Sequence, residues 1–239
     1  MEQEVIDSIV LESLNDLSLI KRKYKPFPKL LSKTNPFDLA IKCKTAQEIV
    51  DFILTKHIQT SRETIMGHYL ESIGLKICDL ELNGFKSKEE CTDMEWGSDG
   101  KKHYRGWKSS PCWANSDQKR AVNTKLKELE TNQDFGSFKV LTAYGKSTQK
   151  KTTKGFLQLS GQDSWEEISG DSNTHNKVMV SMLKNSETIE LFLKNLYNSD
   201  ISKAVEWINN NFTNVDNTIN FIKINDYVSS RNKIKVTKW

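Results

Sequence analysis

The sequence predicts an α/β protein, a mixed central sheet flanked by helices. Three observations carry this. Up to Cys78 the apolar residues recur at helical spacing, whereas beyond it they fall in short stretches of strand length. The first two stretches are separated by Gly97-Ser98-Asp99-Gly100, a strong hairpin signal. The resulting order of helices, hairpin, helix, strands and helices is that of a sheet covered by helices.

Taken in order, residues 4–20 carry Val5, Ile6, Ile9, Val10, Leu14 and Leu17 at helical spacing. The stretch "KRKYKPFPKLLSKTNPF" breaks regularity with Pro26, Pro28 and Pro36. A second helix is predicted from Thr45, where Thr45 and Glu48 have capping-box spacing and Ile49, Val50, Ile53 and Leu54 form the apolar stripe. A third is predicted from Thr60, with Glu63 in the box position and Ile65, Met66, Tyr69, Leu70, Ile73 and Ile77 as its apolar face. Strands are expected at "CTDMEW", "KHYRGWKS", "SFKVLTAY" and "GFLQLSG", with a helix over 115–130 between the second and third. Residues 186–197 and 202–211 read as helices, and the tail "SSRNKIKVTKW" is basic. The expected organisation is one domain over 1–239: a helical part over 1–58, a core over 60–171, and C-terminal helices with the basic tail over 172–239.

A chain of 239 residues is long enough to bury a core of its own. A net charge of +4 and a pI near 8.7 permit nucleic acid as a partner without demanding it. Cys43, Cys78, Cys91 and Cys112 form no CxxC pair, and His57, His68, His103 and His175 are scattered, which argues against zinc and against histidine-based nuclease chemistry. The acidic start and the lack of an apolar run of spanning length lead to the expectation of a cytoplasmic protein with no membrane association.

Asp93 falls in the first strand of the hairpin, Lys108 in the second, and Glu71 on the preceding helix. The Asp99-Gly100 turn makes the two strands antiparallel neighbours, so acid and lysine should meet near the open end. Two carboxylates and a lysine suit Mg²⁺ and phosphodiester hydrolysis. Mg²⁺ takes oxygen ligands, keeps several waters and needs only one or two carboxylates. Lys108 ends its strand with small residues after it, leaving room for a phosphate, and Pro111 then turns the chain into a basic helix.

These residues resemble the PD-(D/E)XK nucleases, and within them the PmeII-type family of type II restriction endonucleases. The resemblance runs from "NPFDLA" through "TSRETIMGHYLE", "TDMEW", "WKSSPCWANSDQ" and "YGK" to "LQLSGQDSWEEISGD" at Asp171. It implies a restriction-endonuclease-like fold, Mg²⁺-dependent cleavage of double-stranded DNA, a homodimer on a palindromic site, and a cognate DNA methyltransferase as genetic partner. By position, Gly67-x-x-x-Glu71 matches the helix motif, Asp93 the metal-binding aspartate and Lys108 the active-site lysine. Two positions depart from the signature. Thr92 replaces the proline before Asp93, and Gly106 stands in the acidic slot two residues before Lys108. The second metal-binding carboxylate must then come from elsewhere: Glu71 first, with Glu63 and Glu95 as alternatives. Glu95 shares a strand face with Asp93. On a helical wheel Glu63 lies at the edge of the apolar stripe and Glu71 nearly opposite its centre.

For DNA contact, Asn115, Ser116 and Gln118 open a helix followed by Lys119 and Arg120, and helix N-termini favour phosphate. The loop "YGKSTQKKTTKG", with Lys146, Lys150, Lys151 and Lys154, is the densest basic segment and the candidate for gripping the backbone. Trp107, Trp113 and Trp165 read as core or interface aromatics. Two other readings stay open: a DNA-binding module on the same fold that no longer cuts, and a nuclease of that fold acting in repair or on modified DNA.

Overall fold

A computed structural model describes residues 1–19, 26–146, 148–151, 155–195, 201–230 and 234–239. The elements, in chain order, are α1 (Gln3–Leu19), α2 (Phe27–Leu31), α3 (Pro36–Lys42), α4 (Ala46–Leu82), β1 (Phe85–Lys86), β2 (Met94–Ser98), β3 (Lys101–Lys108), α5 (Ser116–Leu129), β4 (Phe135–Thr142), β5 (Thr148–Lys151), β6 (Leu157–Ser160), α6 (Gln162–Ser169), α7 (Thr174–Lys184), α8 (Ser186–Asn195), α9 (Ile201–Phe212) and α10 (Phe221–Ser229). They fall in two compact units, one of residues 1–20 and 64–190, the other of 21–63 and 191–239. The fold is the expected α/β arrangement, a mixed sheet flanked by helices.

The first unit is built on a six-stranded sheet of order β1-β2-β3-β4-β6-β5. β3, β4 and β6 run parallel, and β1, β2 and β5 pair antiparallel with their neighbours. The β2–β3 hairpin closes with Ser98 opposite Lys101, leaving Asp99 and Gly100 as a two-residue loop. Both have positive φ, 53° and 71°, the requirement of a type I′ turn, which explains an aspartate and a glycine there. α5 is the crossover between β3 and β4, and it buries Val122, Leu126 and Leu129 against Tyr104, Phe138, Val140 and Phe156. α1 packs on α7 at one side and meets α4 at the other, where the Tyr69 hydroxyl donates to the Val10 carbonyl at 3.0 Å.

The second unit has its own core. Phe27, Leu31 and Leu39 pack with Ile49, Val50, Trp207, Ile208, Phe212 and Ile224. The tail joins it: Trp239 stacks on Phe27 at 5.9 Å, and the Trp207 indole N–H donates to the Thr237 carbonyl at 2.9 Å.

The Thr45/Glu48 capping box forms, with Glu48 N–H donating to Thr45 Oγ1 at 3.2 Å and Thr45 N–H to Glu48 Oε2 at 3.3 Å. No helix begins at Thr60, however. α4 runs unbroken for 37 residues. Nothing between Thr45 and Thr60 is proline or glycine, and a Thr-x-x-Glu spacing is as compatible with a helix interior as with its start. The two compact units are assembled from segments distant in the chain. α1 belongs with the sheet, and the division in α4 falls at Glu63/Thr64. Part of the expected basic loop is strand β5, which pairs along β6.

Candidate active site

The hairpin stops being a regular ladder where the site begins. Its last regular pair is Met94 with Arg105. Beyond it the Asp93 N–H still donates to the Arg105 carbonyl at 2.8 Å, but the Trp107 N–H, which would continue the ladder, donates to the Asp93 side chain instead, at 2.6 Å to Oδ2. The same oxygen accepts from Lys108 Nζ at 3.0 Å. Asp93 Oδ1 has no protein partner among the described residues. The pair is shielded without being sealed, with side chains 22% and 29% exposed. The Lys108 ammonium lies 5.9 Å from the centre of the Trp113 ring, a cation–π distance that also thins the water around it.

Lys108 is the last residue of β3, and its Cα lies opposite Thr142 at the end of β4, which in turn lies opposite Ser160 at the end of β6. The site therefore sits at the carboxyl edge of the parallel strands, where open α/β sheets bind ligands. The Lys108 carbonyl is held by the Ala143 N–H at 2.9 Å, so its backbone is fixed to the sheet.

Gly106 has no room for the acid of the signature. A Cβ added there would meet the Cys91 carbonyl oxygen at 2.9 Å, closer than such contacts occur. Thr92, at the signature's proline position, is buried. Its hydroxyl lies 2.6 Å from Ser87 Oγ, whose own hydroxyl reaches Glu95 Oε2 at 2.5 Å. That hydrogen-bonded chain engages one of the candidate carboxylates.

Glu71 is not on a solvent face, contrary to what the wheel implied. α4 is covered on two sides. Ile65, Tyr69, Ile73 and Ile77 are buried, Tyr69 bonding to α1. At Gly67 a Cβ would lie in ordinary contact with Ser109, 3.7 Å away, and at Gly74 it would lie 3.1 Å from Met94 and Trp107. Positions 67, 71 and 74 share a helix face, so Glu71 lies on the stripe that crosses the strand ends. Its side chain is 21% exposed, with Oε1 3.1 Å from Lys86 Nζ and Oε2 3.7 Å from His68 Nδ1. Lys86 is the Cα partner of Met94, and the Ser87 N–H donates to the Asp93 carbonyl at 3.2 Å. Glu63 is exposed and belongs to the second unit.

Among the described residues no group of three or more His, Cys, Asp or Glu side chains is placed to hold a metal. Mg²⁺ does not need one, because it is commonly held by one or two carboxylates together with waters and substrate phosphates. Asp93, whose Oδ1 has no partner among the described residues, and Glu71, a partly shielded carboxylate, are donors of the right hardness.

Asn115 and Gln118 form a capping box. Asn115 Oδ1 accepts from the Asp117 and Gln118 N–H groups, and Gln118 Oε1 from the Asn115 N–H at 2.9 Å. Their oxygens are thus engaged by the helix end, while Ser116 is exposed and Lys119 half-buried. Lys146 is exposed. Lys150 and Lys151 lie on β5 opposite Gln158 and Leu157, but their side chains, and Lys154 altogether, lie outside the described residues. Trp107 and Trp165 are buried and meet edge to face at 4.9 Å.

Two groups escaped the sequence reading. Lys86 gave no signal, because its strand is only two residues long. The other is a cluster below the site. Arg105, 2% exposed, donates to Glu167 Oε1 through Nε at 3.0 Å and Nη2 at 2.5 Å, and Lys139 Nζ reaches both Glu167 oxygens at 2.8 Å. The guanidinium also stacks 4.5 Å from the Trp96 ring. Burial pushes the Glu167 carboxyl upward, but the Arg105 charge and the Lys139 and Arg105 hydrogen bonds outweigh it and hold the group below the ordinary glutamate value. The cluster fastens β3 and β4 to α6, and the Arg105 carbonyl is the one that receives Asp93 N–H.

A family model described as type II restriction endonuclease EcoO109I matches residues 5–189. No curated protein matches the chain.

Proposed function

From the premise that the chain belongs to the type II restriction endonuclease EcoO109I family, we propose that it hydrolyses both strands of duplex DNA at a short specific sequence, with Mg²⁺. The observation that carries this reading is the shared acceptor: Lys108 Nζ and the Trp107 N–H converge on Asp93 Oδ2 at the carboxyl edge of the parallel strands. Asp93 and Glu71 would hold the metal, which when bound lowers the pKa of a water and offsets charge building on the phosphate. The Trp107 N–H fixes the Asp93 carboxylate in orientation through Oδ2, so Oδ1 would be the oxygen available to a metal. Lys108 donates to the attacking water and to a phosphate oxygen, and its partial shielding strengthens both bonds.

A palindromic site presents two equivalent scissile bonds, which a two-fold homodimer matches. A cognate DNA methyltransferase as genetic partner and a cytoplasmic location complete the reading. Kinship with the PmeII-type family rests on motif order alone. Lys146, Lys150 and Lys151 are the candidates for backbone contact. Asn115 and Gln118 keep only their amide N–H₂ groups for base or phosphate, and Ser116 and Lys119 stand beside them.

A second reading, a DNA-binding protein of this fold that does not cut, is favoured by the closed slot at Gly106. Supercoiled plasmid incubated with and without Mg²⁺ separates the two, and sequencing the ends of digested phage DNA gives site and stagger. Discrete bands that require the metal support cleavage. Mobility shifts without any strand scission, in wild type and Lys108→Ala alike, support the inert protein.

A further inference from the structure

Both candidate metal-binding carboxylates are paired with a lysine: Asp93 with Lys108 and Glu71 with Lys86. The reaction uses Lys108 and leaves Lys86 without a role. The two members of the second pair are unequally held. Glu71 is 21% exposed and sits between Gly67 and Gly74 on the helix face that crosses the strand ends, whereas the Lys86 side chain is 67% exposed. The lysine stem is long and flexible, so the ammonium can leave Glu71 Oε1 while the carboxylate stays. Its backbone cannot drift far, because Lys86 pairs with Met94 and the next residue donates to the Asp93 carbonyl.

We propose that Lys86 is a place-holding cation: it neutralises Glu71 Oε1 in the metal-free protein and is displaced when a divalent ion takes that oxygen. Lys86 thereby raises the metal concentration at which the site assembles. This rests on the reading of Glu71 as a metal ligand. An ammonium and Mg²⁺ compete for the negative charge of one carboxylate, and the two cations repel each other across it, so the ion binds more tightly once the ammonium has left. The exposed position of Lys86 keeps the pair weak enough for a hydrated divalent ion to break.

The test uses Mn²⁺ as probe, with free ion counted by electron paramagnetic resonance in the DNA-free full chain. Wild type is compared with Lys86→Gln, Glu71→Gln, the double variant, and Lys88→Gln as a neighbouring exposed lysine of equal charge. The expected result is a Mn²⁺ dissociation constant about three- to fivefold lower for Lys86→Gln, a size in keeping with an exposed ion pair. Lys88→Gln should leave it near wild type. Glu71→Gln should weaken binding, and adding Lys86→Gln to it should change nothing further. If Lys86→Gln binds Mn²⁺ no more tightly than wild type while Glu71→Gln binds it less, the place-holding role is overturned and the ligand reading stands. If Lys86→Gln tightens binding equally in the Glu71→Gln background, the lysine acts as a general charge and the proposal also fails. Unchanged binding in Glu71→Gln removes the ligand reading and this inference together.

Discussion

Lys108 Nζ lies 3.0 Å from Asp93 Oδ2, across the open end of a hairpin that separates the two residues by 15 positions. The same oxygen is also a backbone acceptor for Trp107, so the proposed chemistry and the strand geometry are joined in one atom.

Asp93→Asn keeps an oxygen for the Trp107 N–H but loses the charge. Plasmid cleavage should fall by about 10²-fold or more, the scale for removing one preorganised electrostatic group, while thermal unfolding changes little. Asp93→Ala should in addition cost about 1–3 kcal/mol, because it strands a backbone donor. Equal unfolding temperatures for the two variants would contradict the double role of Oδ2.

Gly106→Asp restores the acid of the signature on paper. With the Cys91 carbonyl 2.9 Å from the new Cβ, it should destabilise the protein by about 1–3 kcal/mol and leave cleavage no faster. Differential scanning calorimetry beside a cleavage time course checks both, and a stable, faster variant would show that the slot is open.

Gly67 is part of the helix motif, yet a Cβ there reaches only ordinary contact with Ser109, 3.7 Å away. Gly67→Ala should therefore stabilise the protein by up to about 1 kcal/mol through helix propensity, read from urea unfolding. A loss of stability would mean that the helix sits closer to the strand than this.

Glu167 should make the sheet sensitive to acid. Its folded pKa is depressed below the ordinary value of 4.5, so the unfolded chain takes up the proton first. The stabilisation is complete above about pH 4.5 and drains away as pH falls through the lower folded value. Glu167→Ala should cost about 3–5 kcal/mol at neutral pH, because it leaves Arg105 buried without its partner, and should flatten the stability profile below pH 4.5. An unaltered acid limb of the unfolding curve would assign that sensitivity elsewhere.

Much of the fold was legible because it is written in local chemistry. Asp99-Gly100 demanded a type I′ turn, and Thr45 with Glu48 announced a helix start. The turn alone was enough to bring Asp93 and Lys108 together. What was not legible depends on neighbours distant in the chain. A wheel drawn for α4 alone gives it one buried face, but α1 lies on one side and the strand ends on another, so Glu71 seemed to point at solvent. β1 is too short to show alternation, which hid Lys86. β5 is a lysine-rich edge strand, and its composition reads as a loop until β6 supplies its partner. Nor could any pattern reveal that the Cys91 carbonyl fills the place of a side chain at Gly106, since the two meet only through the hairpin.

The bond from the Trp107 amide to the Asp93 carboxylate also bears on how such an enzyme can be silenced. On the proposed function, a chain that mutates this aspartate to a small apolar residue loses a fastening of its framework along with its catalyst, and proteolysis then removes it faster. A change at Lys108 leaves that fastening in place. Folded but harmless descendants should therefore carry their lesion at the lysine more often than at the aspartate.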